Sequence, residues 1–377
     1  MTDERTAPTV ALTVEQLWQP TPGGSGTYIR ELAAELVRLT DVVGIAARHG
    51  RHAPPGGALP HPVATSRLPR PVLYDAWSRL RRPLPPASAR HADVVHATTW
   101  AIPGSRQPLV VTVHDLAFLR HPEHFTRRGV AFFRRSWQTV LREASVVLVP
   151  SRTTADDCLA AGLEAGRIAV VPHGVRVPPV DASELARFRA THGLGRPYAL
   201  WVGTLEPRKN LGTLVSAYAR VASSGLDLVI VGPTGWGGTD ATLRSALAAL
   251  PADRVHTLGR LTFQGLHAAY AGARVFVFPS TWEGFGMPVL EAMAHGVPVI
   301  TSSGTSMAEV ADGAALLADP GRADGWAEAI LEAAGDGHDE LATRGIQRAS
   351  QYSWAAAAAG TLETYERAML RTAPRSA

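Results

Sequence analysis

The sequence predicts an α/β protein built from two doubly wound, Rossmann-like domains that face one another across a cleft. Three observations carry this. The chain has 377 residues, enough for two domains of ordinary size. Short apolar runs alternate with segments of helical periodicity along its length, as parallel βα units require. The alternation is broken once near the middle, by the Pro- and Gly-punctuated stretch 173–197, which reads as an interdomain linker. Domains are therefore expected at 1–178 and 179–352, with a last helix within 353–377 that can cross back onto the first domain.

In the first half, strands are expected at 9–14, 42–46, 93–96, 109–113, 146–149 and 169–171. Between the first two, residues 25–40 place Ile29, Leu32, Leu36 and Leu39 on one helical face. Residues 50–62 and 83–88 read as loops from their Pro and Gly content. In the second half, strands at 198–202, 228–231, 255–258, 275–278 and 297–301 alternate with helical segments. One of these, 210–223, carries Leu211, Leu214, Val215, Tyr218 and Val221 on one face. The final helix, 354–371, is apolar on one side through Leu362, Tyr365 and Met369.

Composition narrows the function classes. Hydrophobic residues make up 46% of the chain, ample for two cores. Met1-Thr-Asp-Glu-Arg is polar and does not open a secretory signal, and no run approaches the ~18 apolar residues of a spanning helix. Cys158 is the single cysteine, which excludes a disulfide framework and a thiolate metal site. A cytoplasmic protein is expected. Charge is uneven: residues 70–142 hold 12 arginines against 4 acids within a net charge of +4. A regional excess of this kind speaks to partners rather than to fold.

Lys209 is the only lysine among 37 basic residues. It lies in Val202-Gly-Thr-Leu-Glu-Pro-Arg208-Lys209-Asn210, where a strand turns into a helix. An arginine fork and a compact ammonium at a helix start suit a diphosphate, which backbone N–H groups and the helix dipole also favour.

The densest motif is Pro279-Ser-Thr-Trp-Glu283-Gly284-Phe285-Gly286-Met287-Pro288-Val289-Leu290-Glu291. It leaves a strand, passes a Gly-rich turn and enters a helix with proline near its first position. A carboxylate accepts from two hydroxyls at once, which suits a ribose diol or adjacent sugar hydroxyls, so Glu283 and Glu291 are candidate sugar contacts. Gly23-Gly24-Ser25-Gly26 follows the first strand and opens the first helix, where phosphate-binding loops lie. Ile29 stands where a dinucleotide fingerprint counted from Gly24 needs glycine, which argues against a nicotinamide enzyme. Gly232-Pro-Thr-Gly-Trp-Gly-Gly238 lacks the Lys-Ser/Thr of a P-loop, which argues against ATPase chemistry. His114-Asp115 ends a strand and points at the same cleft, where His114 can hydrogen-bond to a sugar hydroxyl. His173 also follows a strand. The other twelve of the 14 histidines show no metal-ligand spacing.

Together these residues resemble the retaining glycosyltransferases of family 4, which have the GT-B fold. The resemblance runs from Gly23-Gly24 to beyond Val299, and its most specific parts are Glu206-Pro-Arg208-Lys209-Asn210 and Glu283-x(7)-Glu291. It implies that Arg208 and Lys209 bind the donor diphosphate while the Gly23-Gly24 loop closes over it. It further implies that Glu291 holds the ribose and that Glu283, with the backbone of Phe285, Gly286 and Met287, contacts the transferred sugar. Backbone at Val289 and Leu290 would meet phosphate, His114 would sit by the reacting side of the sugar, and the base would stack near Gly259-Arg260-Leu261. Retention would follow from front-face attack without a metal, two cations and helix N-termini stabilising the leaving nucleoside diphosphate. The segments 111–123 and 203–209 resemble the bacterial mannosyltransferase branch, which favours GDP-mannose as donor; UDP- or GDP-linked glucose, rhamnose and similar donors stay open.

Residues 126–143 read as a helix with Val130, Phe133, Trp137, Val140 and Leu141 on an apolar face and Arg128, Arg135 and Arg142 at seven-residue intervals. Such a stripe beside aromatics suits an anionic membrane surface or an anionic lipid-linked acceptor, which would place the protein peripherally on the inner face of the cytoplasmic membrane. A helix packed on the sheet with a solvated basic face fits equally. No recognition motif accompanies the charge, so nucleic acid is not expected. The rival to a hexosyltransferase with a glycan or lipid-linked acceptor is a non-catalytic nucleotide-sugar-binding protein.

Overall fold

The computed structural model describes residues 7–50, 53–233 and 241–372. The polar N-terminal hexapeptide and most of Gly232–Gly238 lie outside these. The chain divides into two units. One ends at Gly174 and also takes the helix that starts at Trp354; the other is Val175–Ser353.

The first unit runs β1 (Val10–Thr13), α1 (Gly23–Leu36), β2 (Val42–Ala46), β3 (Val63–Thr65), α2 (Arg70–Leu80), β4 (Val94–Ala97), β5 (Leu109–Thr112), α3 (Ala117–Arg120), α4 (Arg127–Glu143), β6 (Val146–Val149), α5 (Arg152–Ala160) and β7 (Ile168–Val170). All strands pair in parallel, in the order β3-β2-β1-β4-β5-β6-β7. The central strands β1, β4, β5 and β6 are buried at every position, because a parallel sheet covered on both faces leaves no wet side.

The second unit runs α6 (Ala182–His192), β8 (Tyr198–Val202), α7 (Leu211–Val221), β9 (Asp227–Val231), α8 (Ala241–Ala248), β10 (Val255–Gly259), α9 (Phe263–Ala271), β11 (Val275–Phe278), α10 (Met287–Ala294), β12 (Val299–Ser302), α11 (Ser306–Ala311), β13 (Leu316–Ala318), α12 (Ala323–Ala334) and α13 (His338–Ala349). Its parallel order is β10-β9-β8-β11-β12-β13. The last helix, α14 (Trp354–Thr372), packs on α1 and on β4, β5 and β6 of the first unit. Ala357 and Ala358 are buried in that contact, while Tyr365 reaches inward to His96, its hydroxyl 2.8 Å from Nδ1.

Each sheet therefore reverses its winding at one place, between β1 and β4 and between β8 and β11. The two α/β sheets expected from the sequence are present, and the differences are local. The stretch read as linker contains α6, whose Asp181 and Glu184 form a capping box that the sequence displays. Strands β3 and β13 were not expected; each has three residues, too few for periodicity to register. The strand expected at 297–301 begins at Val299, since Pro298 has no N–H to give to a ladder. Leu39 lies beyond the end of α1 and is exposed rather than part of its buried face.

Candidate active site

In the second unit the residues singled out by the sequence converge at the winding reversal. The chain leaves the carboxyl end of β8 through Gly203 and turns at Pro207–Lys209, a single 3₁₀ turn, before α7. The neighbouring strand β11 leads directly into 279–286. Open α/β sheets bind ligands at the carboxyl ends of strands at such a reversal. The two connections are stitched together: Thr281 N–H donates to the Arg208 carbonyl at 2.8 Å, and Ser280 Oγ lies 3.1 Å from the same oxygen.

Three donors meet one oxygen there. Arg208 Nη1 and Lys209 Nζ each lie 2.6 Å from Glu283 Oε1, and Ser280 Oγ donates to the same atom at 2.8 Å. Arg208 also uses Nε on Glu206 Oε2 at 3.0 Å. Lys209 is only 7% exposed, its ammonium 4.8 Å from the centroid of the Phe278 ring. Burial would push the Glu283 carboxyl up, but the Arg208 guanidinium and the Lys209 ammonium outweigh it and hold it at about 2. Burial likewise lowers Lys209 below the usual lysine range, against the opposing pull of Glu283.

Glu283 is aimed by its own turn. Its carbonyl accepts from Ser306 Oγ at 2.6 Å, and Gly286 then adopts φ +95° before α10 starts. A side chain at Gly286 would suffer twice, from that conformation and from Met307 Cγ 2.6 Å from its Cβ. Glu291 projects from α10 and accepts from the Tyr270 hydroxyl at Oε2, 2.9 Å. Burial raises its carboxyl above the usual carboxylate range, and the Tyr270 hydrogen bond partly offsets this. Of the two amides assigned to phosphate, that of Val289 already donates to Gly286 O at 2.9 Å. The backbone of Phe285, Met287 and Leu290 continues the same turn and helix start.

Gly259 closes β10 at φ +63°, followed by the exposed Arg260 and half-buried Leu261. Its carbonyl accepts from Gly232 N at 2.8 Å. Gly232 itself sits at φ +142° with no room for a Cβ, which would run into the Gly203 carbonyl oxygen. The carboxyl edge of β8, β9 and β10 is thus kept as bare backbone.

In the first unit, α1 begins at Gly23 and Gly24 without a side-chain cap, so its first-turn amides are available to an anion. His114 follows β5. Its Nε2 lies 3.0 Å from the Thr98 carbonyl, which fixes the proton on Nε2 and leaves Nδ1 as an acceptor. With the proton there, Nδ1 is left to accept a hydrogen bond. Burial holds the ring neutral, lowering its pKa against the opposing effect of Asp115. Tyr28 and His173 pack on it, with centroids at 4.9 and 5.5 Å. Asp115 Oδ1 accepts from Ala117 N–H at 3.0 Å and shapes the turn.

Comparison with known proteins identifies the family. Residues 22–177 match the Glycosyltransferase Family 4 profile, and residues 196–336 match Glycosyl transferases group 1. The chain is 31% identical over 309 residues to O-antigen chain mannosyltransferase B of Escherichia coli, covering 79% of this chain and 81% of that protein. The chain belongs to the family 4 glycosyltransferases. It is also 30% identical to a D-inositol 3-phosphate glycosyltransferase of Pseudarthrobacter chlorophenolicus over 95% of this chain and 93% of the relative. Among solved structures, Anabaena HepE in complex with UDP-glucose superposes with a TM-score of 0.75 at 21% identity, over 95% of this chain and 99% of that one, and shares the GT-B fold. This glycosyltransferase is accordingly a hexosyltransferase that takes a nucleotide-sugar donor and a glycan acceptor.

Sequence reading missed Ser280, Ser306 and Tyr270, which act through the residues it found. Ser280 and Ser306 fall beside the motif, but nothing in the sequence pairs Tyr270 with Glu291. The arginine helix is corrected in one respect. Trp137 is 4% exposed, inside the core with its Nε1 on Ala161 O at 3.3 Å, and so takes no part in an exposed face. Arg128 is 82% exposed and pairs with Asp75 at 3.2 Å; Arg135 donates to Ser78 at 3.1 Å; Arg142 sits in the last turn. A second correction concerns the histidines: His121 and His124, read as lacking metal-ligand spacing, gather with Glu123. Among the described residues no helix is long and apolar enough to cross a membrane.

Proposed function

We propose that this glycosyltransferase transfers mannose from GDP-mannose to a hydroxyl of a glycan or lipid-linked acceptor in cell-envelope glycan synthesis, with retention and without a metal in the reaction. The observation that carries the reading is the sharing of Glu283 Oε1 by Arg208 and Lys209 at the carboxyl end of β8 and β11. Two cations pre-positioned there can stabilise the negative charge that develops on a departing diphosphate, the role a metal plays elsewhere. Glu283 commits Oε1 to the cations and keeps Oε2 for a sugar hydroxyl. On this reading Glu291 takes the ribose hydroxyls, and Gly259, Arg260 and Leu261 take the base. In the first unit, the uncapped amides of Gly23 and Gly24 suit an anion in their own right.

The acids present favour front-face attack, in which the donor phosphate takes the acceptor's proton. Glu283, held at about 2 by two cations, is a weak nucleophile, and Asp115 is spent on its turn. Mannose is favoured by the O-antigen mannosyltransferase relatives. A UDP-sugar is the second reading, because the structurally similar HepE is solved with UDP-glucose. The exposed Arg128 and Arg142 give the acceptor side a basic face for an anionic headgroup, consistent with a peripheral place at the inner membrane surface.

The test is turnover and thermal shift with GDP-mannose and UDP-glucose, with Lys209→Ala alongside. A ligand at 100 times its dissociation constant adds about 2.7 kcal/mol of stability. Stabilisation and mannosyl transfer with GDP-mannose alone support the reading. A response to UDP-glucose alone replaces the donor, and nucleotide-dependent stabilisation without transfer to any acceptor supports a binding protein instead. Sedimentation with anionic vesicles, compared with Arg128→Gln/Arg142→Gln, tests the membrane face.

A further inference from the structure

The segment between α3 and α4 folds as one 3₁₀ turn, Pro122–His124. Residues three apart in such a turn eclipse one another. His121 and His124 accordingly stack, with ring centroids 5.1 Å apart and planes 17° from parallel. Glu123 closes the group: its Oε1 is 3.0 Å from His121 Nδ1 and 3.9 Å from His124 Nε2. One ligand atom from each of the three lies within 4.8 Å of the other two. None of these residues belongs to the second-unit site, and none has a role in the transfer proposed above.

We propose that His121, Glu123 and His124 form a binding site for a divalent transition metal of the zinc type. Two imidazole nitrogens and a carboxylate oxygen are the ligands such ions take, whereas magnesium and calcium prefer oxygen alone. Tetrahedral ligands about 2.0–2.2 Å from zinc stand roughly 3.3–3.6 Å from each other, so a spread of up to 4.8 Å has to close by roughly 1 Å on binding. All three side chains are at least partly open to solvent, which gives the ion a path in and leaves a fourth position for water. His124 Nδ1 is buried without a hydrogen-bond partner among the described residues. A ligating ring usually has such a partner, so affinity is expected to be roughly ten- to a hundredfold below that of a fully supported site. The bound ion clamps the turn that follows His114 and Asp115, so its effect is on the stability of that segment and not on the leaving group.

The full chain, free of any affinity tag and treated with chelator, is titrated with zinc chloride by calorimetry and with cobalt(II) by visible absorption. The expected result is one equivalent bound, four-coordinate cobalt bands, and a rise in melting temperature with zinc. His121→Gln and His124→Gln each abolish the bands, with Glu123→Gln weakening them; circular dichroism checks that each variant is folded. His267→Asn removes one ring of another close imidazole pair, His267–His295, and leaves the bands unchanged. Absence of binding at 100 µM metal, or the same bands in both His121 and His124 variants, overturns the site. Sugar transfer after chelation is read separately, and its outcome bears on the donor-site reading and not on this one.

Discussion

Lys209 Nζ and Glu283 Oε1 stand 2.6 Å apart, both nearly closed to solvent, on connections from two adjacent strands. The single lysine of the chain is thus spent where a side chain must be thin. Its stem passes Gly203, and its ammonium fits between the Phe278 ring and the carboxylate that Arg208 already occupies from the other side. A second guanidinium is planar and wider, and needs more than this space holds. Lys209→Arg should therefore behave as an overpacked variant, destabilised by about 1–3 kcal/mol and with strongly reduced transfer, although charge is conserved. Urea unfolding together with kcat measures both; wild-type values in the arginine variant would refute the steric account.

Removing the carboxylate exposes the other side of the same arrangement. Glu283→Gln leaves two cations facing each other at the sheet edge, and loss of one partner from a buried charge group costs about 3–5 kcal/mol. The pH dependence carries a defined sign. Glu283 is held at about 2 in the folded chain against an ordinary 4.5, so the unfolded chain binds the proton first as pH falls. Its contribution is complete above about pH 5 and is lost between there and pH 2. Stability against acid, followed by chemical unfolding at stepped pH, should fall less steeply in Glu283→Gln over that window.

Glu291 and Tyr270 predict an effect on donor binding. Burial raises the Glu291 carboxyl and the Tyr270 hydroxyl lowers it, so removing that hydroxyl lets it rise further. A protonated Glu291 accepts poorly from a ribose diol. In Tyr270→Phe the KM for the donor should increase several-fold and its acid limb should move to higher pH, with kcat at saturating donor little changed. A variant whose kcat falls while the pH profile of KM stays in place would make Tyr270 a packing residue only.

Legibility tracked how local the signal was. The strands along the centre of each sheet show in the sequence because burial on both faces writes continuous apolar runs such as Val146-Val-Leu-Val149. Arg208, Lys209 and Glu283 stood out because each sits within a few residues of a strand end, and Glu291 because it follows the glycine turn at the start of α10. What escaped depends on neighbours far along the chain. Tyr270 reaches Glu291 from another helix, Trp137 is claimed by the core rather than by the arginine stripe around it, and the proton of His114 is placed by the Thr98 carbonyl from the next strand. Periodicity has no access to such partners.

Buried neutral histidines predict a second, earlier acid sensitivity. Burial lowers His96 to about 3, and burial with the facing His295 lowers His267 to about 4, against an ordinary 6.5. Between pH 6.5 and about 4 the unfolded chain binds protons that these folded rings refuse, so stability declines as pH falls, by about 1.4 kcal/mol per pH unit for each ring. The decline should begin before the carboxylates titrate. His96→Gln should flatten part of the slope while losing some stability at neutral pH, since His96 bridges Thr112 and Tyr365.

Gly286 tests whether the aim of Glu283 is set by backbone. The turn 283–286 is pinned at one end by Ser306 on the Glu283 carbonyl and at the other by the left-handed Gly286. In Gly286→Ala the methyl group meets Met307, and the backbone pays about 1 kcal/mol or more for φ +95°. The turn can relieve this only by moving Glu283 and the start of α10 together. Transfer should then fall by more than tenfold while stability drops by only a few kcal/mol. Met307→Ala removes the clash but not the positive φ, so the double variant Gly286→Ala/Met307→Ala should recover stability only in part. Full recovery of transfer in that double variant would show that the methionine contact, and not the left-handed turn, sets the position of Glu283.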